Sequence, residues 1–270
     1  MDNAAMKNQA ASDFTHRHIP AFGKTVHRLR IALNYGIDEA GFRDALDRGM
    51  NYILWFPRQK KLTQSVREAL KRDRERYVLA TGPLFGFFGG SVRRACERAL
   101  KVLQTDYVDL FQLNWLSKMS AWTEGTVSEL VKLKEEGKVR ALGVSIHDRP
   151  RAGKLAEDSP LDLLMIRYNA AHPGAERDIF PHLQKRKPAV VAYTATSWRR
   201  LLKRPDGWTG EVPTAGHCYR FCLSNPNVDL VLSGPANQRQ LEENLAAIQQ
   251  GPLSEKELEW MRTFGRVVHG

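Results

Sequence analysis

Apolar residues follow two alternating patterns along this chain. Short apolar runs, rich in Val, Ile, Leu and Tyr, alternate with longer stretches in which apolar residues recur every three to four positions. The short runs lack the polar alternation of a half-exposed sheet, so they predict parallel strands buried on both faces. The predicted strands are Leu29–Leu33, Asn51–Trp55, Tyr77–Thr81, Tyr107–Leu113, Ala141–Ser145, Leu163–Ile166, Ala189–Tyr193 and Val228–Leu232.

The longer stretches predict helices, several of which carry recognisable end signals. One begins at the acidic cap Asp38 and ends before Gly49, and the last begins with S-E-K-E, a capping box. The predicted helices are Asp38–Arg48, Thr63–Arg72, Ser91–Leu103, Thr123–Glu136, Pro150–Glu157, Ala175–Lys185, Ala215–Leu223, Asn237–Gln249 and Ser254 to Val267.

Eight strands, each followed by a helix, predict a single closed (β/α)8 barrel with an additional C-terminal helix. An open doubly wound sheet is the alternative, but no G-x-G-x-x-G follows the first strand. We expect residues 21–270 to form the barrel and residues 1–20, which contain no apolar core of a secretory signal, to form a mobile tail. In this architecture function resides on the loops that follow the strands.

Composition narrows the class of protein without identifying it. The 270 residues carry a formal charge of +11, but the basic residues are spread out and are not interleaved with stacking aromatics, so we do not expect nucleic acid as a partner. No apolar run is long enough to span a membrane. Three cysteines at irregular spacing predict a reducing, cytoplasmic environment, and they do not predict a metal site.

Several segments, taken in order, give the chain a recognisable family resemblance. From Phe22 to Val267 it resembles the aldo-keto reductase superfamily. The matching segments are "FGKTVHRL", "ALDRGMNY", "SVRRACERALKVLQTDYVDLFQLNW", "LVKLKEEGKVRALGVSIH", "IRYNAAHPGAERDIFP", "VVAYTA", "LSNPNVDLVLSGPANQRQLEENLAAI" and "GPLSEKEL". The resemblance implies an N-terminal β-hairpin, a barrel and NADP(H) bound across the carboxyl ends of the strands.

The resemblance also implies a chemistry, namely hydride transfer to a carbonyl. A Tyr protonates the nascent alkoxide, a Lys paired with an Asp lowers the pKa of that Tyr, and a His orients the carbonyl. All four positions differ in this chain. The Asp position carries Leu54, the Tyr position Gln59, the Lys position Gly82 and the His position Asn114. Asn114 retains hydrogen-bonding capacity at the His position, but none of the four residues can donate a proton at neutral pH, so we do not expect ordinary carbonyl reduction.

Other side chains predicted at the strand ends offer partial substitutes. Tyr35 and His147 each carry a transferable proton, and imidazole titrates near neutral pH. The alternatives are that Tyr35 packs in its loop and that His147 caps the following helix. Trp55, Trp115 and Arg167 are candidates to line a substrate pocket. For Arg167, an ion pair with Glu176 or Asp178 is an equal alternative.

The cofactor side of the resemblance has more matching residues. Tyr193 matches the aromatic on which the nicotinamide stacks, while Ile146 and Met165 replace two residues that contact its carboxamide. Gly234 and the following helix start suit a phosphate, because backbone N–H groups there are free to bind an anion. The full set of candidate cofactor residues is Ser145, Tyr193, Thr194, Gly234, Arg239, Gln240, Glu243 and Asn244.

Three functions from different classes are consistent with these residues. The first is an NADP(H)-binding oxidoreductase with an unusual proton donor. The second is a non-redox enzyme, such as a lyase, isomerase or cyclase, whose aromatic loops hold an apolar substrate. The third is a protein that senses or binds a nucleotide without turnover.

Overall fold

A closed eight-stranded parallel barrel forms the centre of the computed structural model, which describes residues 14–33 and 35–269. An antiparallel hairpin of β1 (His16–Ile19) and β2 (Lys24–His27) precedes it. The barrel strands are β3 (Leu29–Ala32), β4 (Tyr52–Leu54), β5 (Val78–Thr81), β6 (Val108–Leu113), β7 (Val139–Ile146), β8 (Leu163–Arg167), β9 (Ala189–Tyr193) and β10 (Leu230–Ser233). The predicted barrel and hairpin are therefore confirmed.

Helices surround the barrel in the expected alternation. They are α1 (Glu39–Asp47), α2 (Lys60–Arg72), α3 (Gly89–Leu103), α4 (Glu124–Glu135), α5 (Arg149–Asp158), α6 (Ala175–Asp178), α7 (Ala215–Ser224), α8 (Gln238–Gln249) and α9 (Glu255–His269). Short 3-10 turns occupy Phe180–Leu183 and Arg200–Leu202. Across the described residues, no helix combines the length and apolarity needed to cross a bilayer.

Strand alternation separates two apolar layers. One layer fills the barrel interior and includes Tyr52, Leu54, Ala80 and Leu110, whereas the other lies between the strands and the helices. Ile19 and Phe22 of the hairpin join the interior layer, and the Phe22 ring packs edge-on against Tyr52. The hairpin thus closes the end of the barrel at which the strands begin. The opposite end, formed by the carboxyl ends of β3–β10 and the loops that follow them, is called the mouth below.

Two boundary predictions were wrong. The predicted helix Ala175–Lys185 divides into α6 and a 3-10 turn, because Pro181 lacks an N–H and disfavours helical geometry in the residue before it. The stretch expected to be a tail, residues 1–20, contains β1, whose four residues pair with β2 in register. The apolar signal for β1 is weak, since only Ile19 of the strand is buried. Residues 1–13 of that expected tail lie outside the described residues.

Candidate active site at the barrel mouth

Exposed aromatic side chains collect at the mouth. Among the described residues, seven large hydrophobic side chains are exposed, and six of them lie on loops that follow β3, β5, β6 and β9. These six, called the aromatic rim below, are Tyr35, Phe85, Phe87, Phe88, Trp115 and Trp198. Apolar surface concentrated in one place on a protein commonly marks a binding site.

Backbone strain collects at the same end. Of the eight described non-glycine residues with left-handed φ, six lie on the loops after β6 and β9: Trp115, Ser117, Thr194, Ser197, Trp198 and Arg199. Such conformations cost of order 1–3 kcal/mol each and persist where the surrounding structure enforces them, often at functional sites. Thr194 is held in part by its own contacts, since its carbonyl accepts the side-chain N–H of Asn169 at 2.7 Å. The loop after β9 is therefore a shaped wall of the mouth.

Two of the predicted residues meet inside this wall. The Tyr193 hydroxyl lies 2.7 Å from Nε2 and 3.0 Å from Nδ1 of His147, and the two rings are perpendicular with centroids 5.4 Å apart. Trp115 also packs against His147, at 5.9 Å between ring centroids. Burial lowers the pKa of His147 below its ordinary value, and the positive charge of Arg167 lowers it further. Burial raises the pKa of Tyr193. Both groups are consequently neutral near pH 7, with the imidazole placed to share the phenol proton.

Arg167 faces this pair across neighbouring strands. It is the register partner of Tyr193, and its charge acts on the pKa values of both Tyr193 and His147. The acids that could have neutralised it are engaged elsewhere: Glu176 pairs with Arg262 at 2.9 Å, and Asp178 pairs with Arg149 at 2.9 Å. The pocket role expected for Arg167 is thus compatible with the structure, whereas the expected ion pairs do not form.

Ser145 and Asn114 lie at neighbouring strand ends of the mouth, and each makes hydrogen bonds within the protein. The carbonyl of Ser145 accepts the N–H of Leu116 at 2.8 Å, which fixes the loop after β6 against β7. The Asn114 amide is used internally, because its Nδ2 donates to the Pro83 carbonyl at 3.2 Å and its Oδ1 accepts from Gln112 at 2.8 Å. An amide with both ends engaged is poorly placed to orient a substrate.

The end of β4 carries no ionisable group toward the interior. Leu54 is buried in the apolar interior layer, and Gln59 caps the loop before α2 by accepting the Phe56 N–H at 2.8 Å. Both residues are therefore structural in this conformation. Tyr35 and Gln59 lie on separate loops, and neither joins the His147–Tyr193 pair.

Trp55 does not line the mouth, contrary to the prediction. Because Leu54 faces inward, strand alternation turns Trp55 outward into the layer beneath the helices. There its indole N–H donates to the Thr63 hydroxyl at 3.1 Å. Trp55 instead contributes to a cavity of about 310 Å³ on the outer side, between α2 and α3.

Gly82 is packed so tightly that no side chain fits. A Cβ placed on it would lie 1.9 Å from the Gln112 carbonyl oxygen and 2.9 Å from Nδ2 of Asn114. The first contact is with the backbone of the neighbouring strand, which cannot rotate out of the way. The mouth therefore has no space for a long side chain rising from this position.

The predicted phosphate segment begins at Gly234, directly after β10. A Cβ on Gly234 would lie 2.6 Å from Cδ2 of Tyr35, so the Tyr35 ring covers the glycine. The requirement for glycine is therefore explained by an aromatic neighbour within the chain. A ligand approaching this turn would pack beside Tyr35, which is half exposed.

The candidate cofactor residues on the helix that follows Gly234 are partly buried in the protein and partly exposed. Asn244 is buried and donates to the Ser233 hydroxyl at 3.1 Å, and Gln240 accepts the Ala236 N–H at 2.9 Å. These two side chains shape the turn from inside. Arg239 and Glu243 are exposed and lie 3.9 Å apart, so Arg239 is free to turn toward a phosphate.

The sequence interpretation missed four residues of the barrel and its mouth. Arg30 and Gln112 point into its interior, where both are buried. The sequence signal that could have revealed them is a polar residue within an apolar strand, at a position whose side chain points into the barrel. Trp198 and Phe88 of the aromatic rim had only the signal of lying on loops after strands, which does not separate exposed from packed aromatics.

Comparison with known proteins relates this barrel to one family. The model of the Aldo/keto reductase family matches residues 24–205. L-galactose dehydrogenase from Arabidopsis thaliana is 24% identical over 245 residues, which cover 77% of each chain. Methylglyoxal reductase YeaE from Escherichia coli is 32% identical over 133 residues, which cover 48% of this chain and 46% of that protein.

Solved structures share the whole fold. An aldo-keto reductase from Bacillus halodurans, AKR11C1 in its holo form, superposes with a TM-score of 0.76 at 23% identity, covering 93% of this chain and 96% of that one. An aldo/keto reductase from Klebsiella pneumoniae, solved in complex with NADP and acetate, gives a TM-score of 0.73 at 23% identity, with 90% and 93% covered.

Proposed function

Since the chain belongs to the Aldo/keto reductase family, we propose that it is an NADP(H)-binding oxidoreductase whose proton-transfer group is the His147–Tyr193 pair. The observation that carries this proposal is the 2.7 Å hydrogen bond between those side chains beside Arg167, at the strained mouth of the barrel. The amides of Asn114 and Gln59 are engaged in structural hydrogen bonds.

The residues present fit the cofactor at both ends. Tyr193 offers an aromatic surface at the inner end, and the Klebsiella relative of the same fold was solved with NADP. At the outer end, Gly234 and the exposed Arg239 flank the start of α8. Asn237 and Gln240 cap two backbone N–H groups there, so Arg239 is the main source of positive charge for a 2′-phosphate.

NADPH bound there would supply a hydride to a carbonyl substrate. The chain's own residues would then handle the resulting negative charge. Arg167 stabilises an oxyanion through its positive charge, and the imidazole N–H of His147 donates the proton while the Tyr193 hydroxyl, hydrogen-bonded to the same ring, passes its own proton to the imidazole. The exposed aromatic rim favours an apolar or aromatic carbonyl substrate.

The four catalytic residues usual in the family are replaced in this chain, and their replacement determines the rate of aldehyde reduction that we expect. Leu54, Gln59, Gly82 and Asn114 stand at the four positions, and the closed space above Gly82 leaves no room for a lysine. General acid catalysis contributes about 10²–10⁴-fold. Small aldehydes should therefore be reduced slowly, because the phenol of Tyr193 has no cation bonded to it that would lower its pKa.

Two measurements test the proposal. NADPH fluorescence titration should show saturable binding, weakened in Tyr193→Ala. With bound NADPH and an aromatic aldehyde, single-turnover oxidation should slow at least tenfold in Tyr193→Phe and in His147→Ala. Trp198→Phe, which changes the rim without removing a proton donor, is the matched control. Full activity in both Tyr193→Phe and His147→Ala would eliminate the pair as the proton donor.

A second candidate function, nucleotide binding without turnover, is favoured by the geometry at Gly82. No lysine fits at Gly82, and Leu54 occupies the position of its carboxylate partner. A mouth without these two groups can bind the nucleotide without catalysing hydride transfer. Binding of NADPH with no detectable oxidation across a panel of aromatic and aliphatic carbonyls would select this candidate over the first.

A further inference from the structure

A fully buried arginine occupies the barrel interior. Arg30 lies on β3 between Leu29 and Ile31, which pack outward under the helices, so Arg30 points inward. Its exposed fraction is 0%, and its guanidinium carbon lies 3.9 Å from the centroid of the Tyr52 ring. Ala32 and Leu54 are register partners two residues further along the same strands. They lie on the mouth side of Arg30 and Tyr52.

The nitrogen atoms of this guanidinium lack partners. Nε, Nη1 and Nη2 of Arg30 are buried and make no hydrogen bond within the described parts of the chain, and the Tyr52 hydroxyl is in the same state. Stacking on Tyr52 uses the flat face of the guanidinium and leaves its N–H edges unused. Removing an unpaired charge from water costs several kcal/mol, so this arrangement requires a compensating group.

Other buried arginines in the chain show how the fold normally meets this requirement. The Arg28 guanidinium donates to the backbone carbonyls of Phe14, Leu223, Val228 and Asp229 at 2.7–3.3 Å. Arg220 likewise donates to the carbonyls of Gly251 and Pro252. Arg30 therefore differs from them in its contacts and not in its degree of burial.

Loss of a proton from Arg30 does not remove its unpaired charge. Burial lowers the pKa of Arg30, but a guanidinium starts so far above neutral pH that it stays charged. Burial also raises the pKa of the Tyr52 phenol, which outweighs the opposing effect of Arg30, so Tyr52 does not become a phenolate counter-ion. No carboxylate among the described residues pairs with this guanidinium, which leaves its charge to be balanced from outside them.

We propose that Arg30 and the Tyr52 hydroxyl bind one small monovalent anion inside the barrel. The donors come from adjacent strands: the guanidinium offers an edge of two N–H groups, and the hydroxyl belongs to the Tyr52 ring on which that guanidinium stacks. One positive charge calls for one negative charge, and the enclosed position selects a halide or a small planar oxyanion such as nitrate or bicarbonate. The site is separate from NADP(H) binding at the mouth and holds whether or not the protein is an oxidoreductase.

Thermal unfolding of the full chain tests this directly. Melting temperatures are measured at constant ionic strength while potassium chloride replaces potassium gluconate, whose anion is too large to enter. Because unfolding releases the ion, each tenfold rise in chloride above its dissociation constant should raise Tm by about 2–3 °C. A parallel series with nitrate distinguishes a spherical from a planar anion. Equal melting temperatures in all three salts would overturn the proposal.

Variants separate the buried site from general screening of a basic protein. Arg30→Met removes the charge but keeps much of the volume, so its Tm should no longer depend on the anion. In gluconate it should melt at or above the wild-type temperature. Arg266→Met removes one exposed charge and should retain the wild-type dependence. An anion dependence that persists in Arg30→Met would refute the assignment.

A crystallographic measurement on the unaltered protein decides the matter if Arg30→Met fails to fold. Crystals grown in bromide should give an anomalous peak within about 3.5 Å of the Arg30 guanidinium nitrogens, a hydrogen-bonding distance for a large halide. Peaks confined to the protein surface would show that bromide does not enter the barrel and would contradict the site.

Discussion

The substitution Gly82→Ala examines the packing that closes the mouth. The added Cβ would lie 1.9 Å from the Gln112 carbonyl oxygen, whereas nonbonded heavy atoms pack at about 3.5 Å. Strand β5 or β6 would have to move by roughly 1.5 Å, and this is resisted by the register pairs Ala80–Leu110 and Thr81–Phe111. Overpacking of this kind typically costs 1–3 kcal/mol, and a backbone contact falls at or above the upper limit.

We therefore expect Gly82→Ala to lower the free energy of unfolding by about 3 kcal/mol, measured by urea denaturation. The matched control is Gly125→Ala on α4, where nothing lies within 4 Å of the added Cβ. There alanine should be neutral or should stabilise by up to about 1 kcal/mol. Equal stability of Gly82→Ala and the wild type would refute the claim that this position is closed to side chains.

Three further predictions concern binding, acid stability and the strained loop. Arg239→Ala should weaken NADPH binding about five- to tenfold and leave NADH binding unchanged in fluorescence titrations, because only the 2′-phosphate would use that cation; equal losses for both nucleotides would contradict this. Burial and the neighbouring His16 lower the pKa of His27 from 6.5 to about 4, so its neutral form stabilises the fold above pH 6.5. That stability, about 3 kcal/mol, should be lost as the pH falls from 6.5 to 4 in urea unfolding curves, with a smaller loss in His27→Asn. Trp198→Gly relieves left-handed strain at φ 52° and should stabilise the fold by up to about 1 kcal/mol while lowering affinity for aromatic ligands; unchanged thermal stability and ligand affinity would argue against a strained binding wall.

The barrel was predictable because its signals are local and repeated. Apolar runs such as Val108–Leu113 and glycine stops such as Gly49 recur along the chain, and a boundary error at one of them does not alter the count of strands. Boundaries failed where a local exception intervened. Pro181 divides a helix, and the mostly polar strand β1 has no apolar alternation from which to recognise it.

The site was less predictable, since side-chain direction depends on parity and on neighbours distant in sequence. Trp55 was expected to line the mouth, but a shift of one residue along a strand reverses the face, so it lies beneath the helices. The contact between His147 and Tyr193 spans 46 positions and appears only when β7 and β9 are placed on either side of β8. Gly234 was assigned to a phosphate turn, and the Tyr35 ring that covers it comes from a loop about 200 residues away.

The reactivity of the mouth toward carbonyls tests the central claim most directly. NADPH oxidation is followed at saturating cofactor with aromatic and aliphatic aldehydes, after fluorescence has established that NADPH is bound. Typical enzymes turn over at about 1–10³ per second. With Leu54, Gln59, Gly82 and Asn114 in place of an acid–base quartet, we predict kcat below about 0.1 per second, sensitive to His147 and Tyr193. A kcat of about 10 per second or more that survives loss of both side chains would contradict the account.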